Sequence, residues 1–192
     1  MLKITHDLGV PAGSKEIAIT HGAQQAISLA LRALTKPGDI VAVESPCYFG
    51  NLLLLESLGL QALEIPSSVS HGIDIPSLQS ALDKWEVNTL LLTPNFTNPT
   101  GSRMPLANRK ALLEITGSLP IIEDDVFGSL AFDTPIASLK ELDNQDRVIY
   151  VNSLSKTLDS RLRIGWLLSG RYQPLVEKLS LIHISEPTRQ LQ

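Results

Sequence analysis

The chain has 192 residues, 43% of them hydrophobic, with 16 Lys plus Arg against 20 Asp plus Glu and a formal net charge of -4. That length and apolar content can bury one continuous core, which excludes disorder as the default state. The mild acidity without a run of like charge excludes a basic face for a phosphodiester backbone. No apolar stretch is long enough to span a membrane, and the single cysteine, Cys47, excludes an internal disulfide.

Lone Cys47 and the lack of a signal-peptide pattern predict a reducing, cytoplasmic setting. Met1 to Val10 carries no clear cap or period, and residues 1–15 are expected to be a lead-in to a domain spanning 16–181. From there, short apolar runs alternate with segments of helical period, the pattern of parallel βα units rather than of a sandwich or bundle. The first strand is predicted at Glu16 to Thr20. It is followed by a helix over Ala23 to Leu34, with Ala26, Ile27, Ala30, Leu31 and Leu34 on one face and Lys36, Pro37 and Gly38 as its stop. A strand at Ile40 to Glu44 and a helix at Asn51 to Leu58 come next, then a strand at Gln61 to Ile65 and a helix at Pro76 to Trp85. Thr89 to Thr93 is a strand, Pro105 to Thr116 a helix, and Pro120 to Asp124 a strand. Strands at Val148 to Asn152 and Arg163 to Ser169 and a helix after Pro174 complete an open α/β sheet of seven strands. The stretch 182–192 is an atypical tail in which Pro187 breaks the last helix, and its ISEPTR run resembles translated sequencing-adapter sequence more than natural protein.

Ligands of open α/β sheets bind beyond the carboxyl ends of the strands, so residues just after the apolar runs carry the information. Thr20, His21, Gly22, Ala23 and Gln24 lead through a glycine turn into a helix N-terminus. This is either a phosphate seat or a turn that needs glycine for its geometry. Tyr48, in the run Ser45 to Tyr48, either stacks on a flat ligand or packs half-buried. The segment Pro94 to Gly101 holds Asn98 before Pro99 in a loop too rich in turn formers for helix or strand. Glu123, Asp124 and Asp125 end a buried strand, where three adjacent acids demand a positive partner.

Magnesium bound for nucleotide hydrolysis is set aside because no GxxxxGK[ST] loop accompanies the acids. His6, His21, His71 and His183 are scattered, without metal-ligand spacing, and no GxSxG nucleophile turn is present. The remaining strand end offers Ser153, Ser155 and Lys156, with Arg163 opening the following strand. Two hydroxyls and an arginine here can bind a phosphate while an amine stays near a carbonyl.

In order, the blocks THGAQQAISLAL, ESPCYFG, PNFTNPTG, IEDDVFGSL and NSLSKTL followed by RIGW resemble class I/II aminotransferases of fold type I over about Glu16 to Leu181. Within that family they most resemble the aminotransferase-like domain of MocR-type, GntR-family transcription regulators. The resemblance implies a three-layer α/β large domain with a seven-stranded, mostly parallel sheet whose seventh strand runs antiparallel. It also implies pyridoxal 5'-phosphate as cofactor, amino acids and 2-oxo acids as partners, and a homodimer. Lys156 is thereby the Schiff-base lysine, and Asp124 the partner of the pyridinium nitrogen. Asn98, before a cis Asn98–Pro99 bond, is the donor to the phenolic oxygen, and Tyr48 stacks on the ring. The phosphate falls to the amides of Ala23 and Gln24, to Ser153 and Ser155, and to Arg163.

Three residues depart from the pattern. Phe127 stands where relatives often carry tyrosine, and Ser160 and Arg161 replace a proline and a small residue. The resemblance also makes the chain a fragment, without the small domain that binds the substrate carboxylate and without the regulators' N-terminal winged-helix domain, through which alone nucleic acid would be bound. Two functions follow: an aminotransferase, or a cofactor-bearing sensor of amino compounds that needs no turnover.

Overall fold

A computed structural model describes residues 16–132, 134 and 136–184, with side chains to residue 180; the expected lead-in 1–15 and the tail from residue 185 lie outside the described residues. The chain runs β1 (Ile17–Thr20), α1 (Ala23–Leu34), β2 (Ile40–Ser45), α2 (Phe49–Ser57), β3 (Gln61–Ser68), β4 (Gly72–Ile73), α3 (Ile75–Lys84) and β5 (Val87–Leu92). It continues through β6 (Asn95–Thr97), β7 (Ser102–Arg103), α4 (Leu106–Ile115), β8 (Ile121–Asp124), α5 (Leu139–Leu142), β9 (Val148–Ser153), β10 (Gly165–Leu168) and α6 (Gln173–Ile184).

The main sheet has eight strands, not seven, in the order β1-β10-β9-β8-β5-β2-β3-β4. The extra strand, β4, is two residues long and pairs antiparallel with Ser67 and Ser68 at the end of β3. So short a strand, containing a glycine, has no alternation to betray it. The pairs β2/β3, β2/β5, β5/β8 and β8/β9 are parallel. Strand β10 runs antiparallel to both β9 and β1, as the resemblance implied for the seventh predicted strand. That strand is shorter than expected. Arg163 is not part of it but stands in a left-handed turn, at φ 48°, after a 3-10 turn at Ser160–Leu162.

Three layers follow from the pleat, because successive strand side chains point to opposite faces. Val41, Val43, Leu91, Ile122, Ile149 and Val151 face one way and pack with Ala26, Ile27, Ala30 and Leu31 of α1, Leu55 of α2 and Val176 of α6. Ala42, Leu90, Leu92, Ile121 and Val148 face the other way and meet Leu78 of α3, Leu112 of α4 and Leu139 of α5. A strand buried on both faces cannot alternate apolar with polar, which is why these strands read as short continuous apolar runs. Each buried Leu or Ile contributes roughly 1.5–3 kcal/mol over its exposed state. Helix α1 follows its predicted span because its buried residues keep a period near four and the chain leaves the helix at Thr35. Among the described residues no helix is long and apolar enough to cross a membrane.

Candidate functional site

All nine residues singled out from the sequence line a single cavity of about 230 Å3 at the carboxyl ends of the parallel strands: Ala23, Gln24, Tyr48, Asn98, Asp124, Ser153, Ser155, Lys156 and Arg163. The topology brings them there, since the ends of β2, β5, β8 and β9 are neighbours in the sheet and α1 begins beside them.

One end of the cavity is built for an anion. Helix α1 starts after Gly22, whose φ of 83° is a conformation that favours glycine; no side chain caps the helix, and its first turn holds no acid. The amides of Ala23 and Gln24 and the positive end of the helix dipole therefore serve the cavity. The Arg163 guanidinium lies over this turn: a Cβ on Gly22 would stand 3.4 Å from Arg163 Nη2. Ser153 is buried at the end of β9, and Ser155 and Lys156 follow in the next turn.

The other end is acidic and aromatic, and the pleat sorts the three acids that end β8. Glu123 and Asp125 share the face of Ile121, and Asp124 shares the face of Ile122, on the α1 side. Glu123 accepts the backbone N–H groups of Leu139 and Lys140, both at 2.9 Å. Asp125 accepts from Asn95 Nδ2 and from the Tyr150 hydroxyl, both at 2.7 Å. Only Asp124 of the three reaches the cavity, and the protein donor to its carboxylate is the Val126 N–H at 3.3 Å. The positive group expected beside the acids is buried Arg109, bonded to Asn95 and lowering through its charge the carboxyls of Glu123 and Asp125 that burial raises, while the hydrogen bonds to those two acids come from neutral donors. Burial pushes the Asp124 carboxyl up to about 7. A cavity-facing acid so raised favours a ligand that brings a positive donor.

Lys156 is exposed, with Nζ 5.5 Å from the centroid of the Phe127 ring. Tyr48 is half-buried, its ring folded over Gly50, where an added Cβ would fall 2.3 Å from a ring carbon. Asn98 is exposed in the turn between β6 and β7, and the Asn98–Pro99 bond is cis.

The cavity also takes in Gly22, Thr93, Val126, Phe127 and Ser160. Of these, Phe127 and Ser160 stand out in the sequence only as departures from the family pattern. Thr93 and Val126 were recoverable as the residues that follow apolar runs. The Thr93 N–H donates to buried Glu44 at 2.7 Å, and the Thr97 hydroxyl, which donates to the Thr93 carbonyl at 2.6 Å, lies 3.3 Å from the other oxygen of the same carboxylate. Glu44 thereby grips both ends of the segment leading to Asn98, and burial holds its carboxyl at about 7. Arg161, the other departure, pairs in the open with Asp159 at 2.6 Å.

A family model described as aminotransferase class I and II matches residues 5–183. An uncharacterized HTH-type transcriptional regulator of Escherichia coli (strain K12), YjiR, is 41% identical over 169 residues, which cover 86% of this chain and 36% of the regulator. Among solved structures, an archaeal alanine:glyoxylate aminotransferase superposes with a TM-score of 0.86 at 32% identity, over 91% of this chain and 45% of that one. LysN, the α-aminoadipate aminotransferase of Thermus thermophilus, complexed with N-(5'-phosphopyridoxyl)-L-leucine, gives a TM-score of 0.84 at 32% identity, over 92% of this chain and 46% of that one. The chain spans less than half the length of each of these three relatives.

Proposed function

This chain belongs to the class I and II aminotransferase family, and we propose that residues 16–181 are a pyridoxal 5'-phosphate-binding large domain which, in the intact protein, transfers amino groups between amino acids and 2-oxo acids. The observation that carries the reading is the meeting of Lys156, Asp124 and an anion seat around one cavity. The donor set fits the group. An uncapped helix start, two serines and an arginine suit a phosphate, and a buried acid with one weak protein donor suits a protonated ring nitrogen.

When bound, the cofactor supplies an aldehyde that takes up amines and a ring that accepts electrons from the substrate Cα. Lys156 Nζ would provide the attaching amine and a base able to move a proton at the substrate Cα. Asp124 would keep the ring nitrogen protonated. Asn98 would donate to the phenolic oxygen, and Tyr48 would pack on the ring and exclude water from it. The phosphate would be held by the amides of Ala23 and Gln24, by the Ser153 and Ser155 hydroxyls and by Arg163.

The test is direct. Protein mixed with pyridoxal phosphate should gain a visible absorption band that borohydride converts to a covalent adduct on Lys156, and Lys156→Ala should abolish it. The lack of any such band in the parent chain would overturn the reading.

A second reading is favoured by the 41% identity to an HTH-type regulator: the cofactor site reports an amino compound to a DNA-binding domain elsewhere in a longer, dimeric protein, without turnover. Half-transamination by the full-length protein separates the two. Conversion of bound cofactor to its amine form by an amino acid supports the enzyme, and binding without conversion supports the sensor.

A further inference from the structure

Behind the cavity, on the opposite face of β8 and β9, lies a buried chain of hydrogen bonds built around Asp125, the last of the three acids that end β8. Arg109 donates to Asn95 Oδ1, and Asn95 Nδ2 donates to Asp125 Oδ1 at 2.7 Å. The Tyr150 hydroxyl donates to Asp125 Oδ2 at 2.7 Å and accepts from Asn152 Nδ2 at 2.8 Å. Asn152 Oδ1 in turn accepts the backbone N–H of Ser153 at 2.6 Å. Every side chain in the chain is buried. Both asparagine amides are oriented without ambiguity, because each has a donor at its oxygen and an acceptor at its nitrogen.

Such a network in low dielectric is strong when every member is satisfied and expensive when one is missing, so its presence asks for a purpose. It lies outside the cavity, and three of its members lead to something that is in it. Asn95 begins the segment that carries Asn98. Asp125 lies between Asp124 and Val126, and Asn152 is bonded to the amide of Ser153. Room for the hub is reserved as well: a Cβ on Gly128 would come within 2.3 Å of Asp125 Oδ1, so the turn after Phe127 closes directly over the carboxylate.

We infer that Asp125 is the hub of a positioning brace with two struts, one through Asn95 to the Asn98 loop and one through Tyr150 and Asn152 to Ser153, which sets the distance between the ring end and the phosphate end of the cavity. The inference rests on the cofactor reading above. It assigns Asp125, Asn95, Tyr150 and Asn152 to no contact with substrate or cofactor; they act through the residues they hold.

The struts can be cut separately. Tyr150→Phe keeps the ring in the core and removes only the hydroxyl that joins Asp125 to the Ser153 side, and Asn152→Ser cuts the next link of the same strut. Asn95→Ser cuts the other. Binding is read by absorbance titration with two probes, pyridoxal phosphate and pyridoxal, which lacks the phosphate, alongside thermal melts. The expected result is that Tyr150→Phe and Asn152→Ser weaken pyridoxal phosphate about three- to tenfold, the worth of a buried hydrogen bond, and leave pyridoxal within twofold of the parent, whereas Asn95→Ser weakens both probes. Equal loss of both probes in the Tyr150 and Asn152 variants, or no loss in either, overturns the brace while the parent's binding leaves the cofactor reading intact. A parent chain that binds neither probe overturns both.

Discussion

Lys156 Nζ stands 5.5 Å from the centroid of the Phe127 ring, so the side chain facing the lysine in the cavity is an aromatic without a hydroxyl. The contact is an electrostatic one between the ammonium and the ring's negative face, worth about 0.5–1 kcal/mol at an exposed site. The ammonium must lose its proton before it can take up an aldehyde, so Phe127→Ala, which withdraws that stabilisation, should tighten capture of pyridoxal phosphate by about two- to fivefold, measured as the apparent Kd from the visible band. An unchanged Kd would show that the ring does nothing for the lysine.

Asp124 should respond in opposite directions in the two states of the protein. Burial raises its carboxyl to about 7, so in the cofactor-free protein the charge is unfavourable above that pH. Asp124→Asn keeps the shape and the acceptor for the Val126 N–H. Without cofactor its Tm at pH 8 should exceed the parent's by a few degrees, at roughly 2–4 °C for each kcal/mol in a domain of this size. Its affinity for pyridoxal phosphate should fall by about tenfold or more, one unit of ring-nitrogen pKa being worth about 1.4 kcal/mol. A variant less stable than the parent at pH 8 would contradict the account.

Glu44 predicts a pH dependence. Its folded-state value of about 7 is raised from 4.5 by burial, against the N–H of Thr93 and the hydroxyl of Thr97. A carboxyl raised on folding contributes stability that is fully present below its unfolded pKa and is lost as the pH climbs through the folded one, so the window runs from about pH 4.5 to about 7. Melting curves of Glu44→Gln should match the parent at the acid end and lie above it at pH 8. Because Gln can still accept from Thr93 and donate toward Thr97, Asn98 should keep its place and cofactor binding should change little.

Gly22 tests the anion seat. Its φ of 83° opposes any side chain, and an added Cβ would press on Arg163 from 3.4 Å. Gly22→Ala should lower stability by about 1–2 kcal/mol, the cost of a left-handed non-glycine residue. It should also weaken pyridoxal phosphate more than pyridoxal, because the arginine it displaces is the one proposed to hold the phosphate. Titration with both probes and a denaturant melt measure the two effects independently.

Much of this architecture could be read from local pattern. Helix α1 was legible to the residue because burial on one side imposes a repeat near four and Lys36, Pro37 and Gly38 stop it. The strands of the sheet's centre were legible as short apolar runs because both their faces are covered. Strands β4, β6 and β7 and helix α5 escaped notice, β6 within a segment expected to be neither helix nor strand, because two to four residues are too few to show a period. Arg163 was assigned to a strand it only precedes, since nothing nearby in sequence announces a left-handed turn at a non-glycine residue.

The three acids at the end of β8 mark where local information stops. Alternation along a strand requires Asp124 to point away from Glu123 and Asp125, and that much is written in the order of residues. Which of the two faces opens into a cavity depends on where α1 and α5 lie across the sheet, a matter of long-range packing that no neighbour in the chain records. The fold puts the start of α1 beside Asp124 and lays α5 on Glu123, so one carboxylate is left facing the cavity and two are consumed in bonding the protein to itself. Residue types and their order thus made Lys156 and its eight companions recognisable, whereas their meeting around one cavity, and the buried brace behind it, exist only once eight strands have paired.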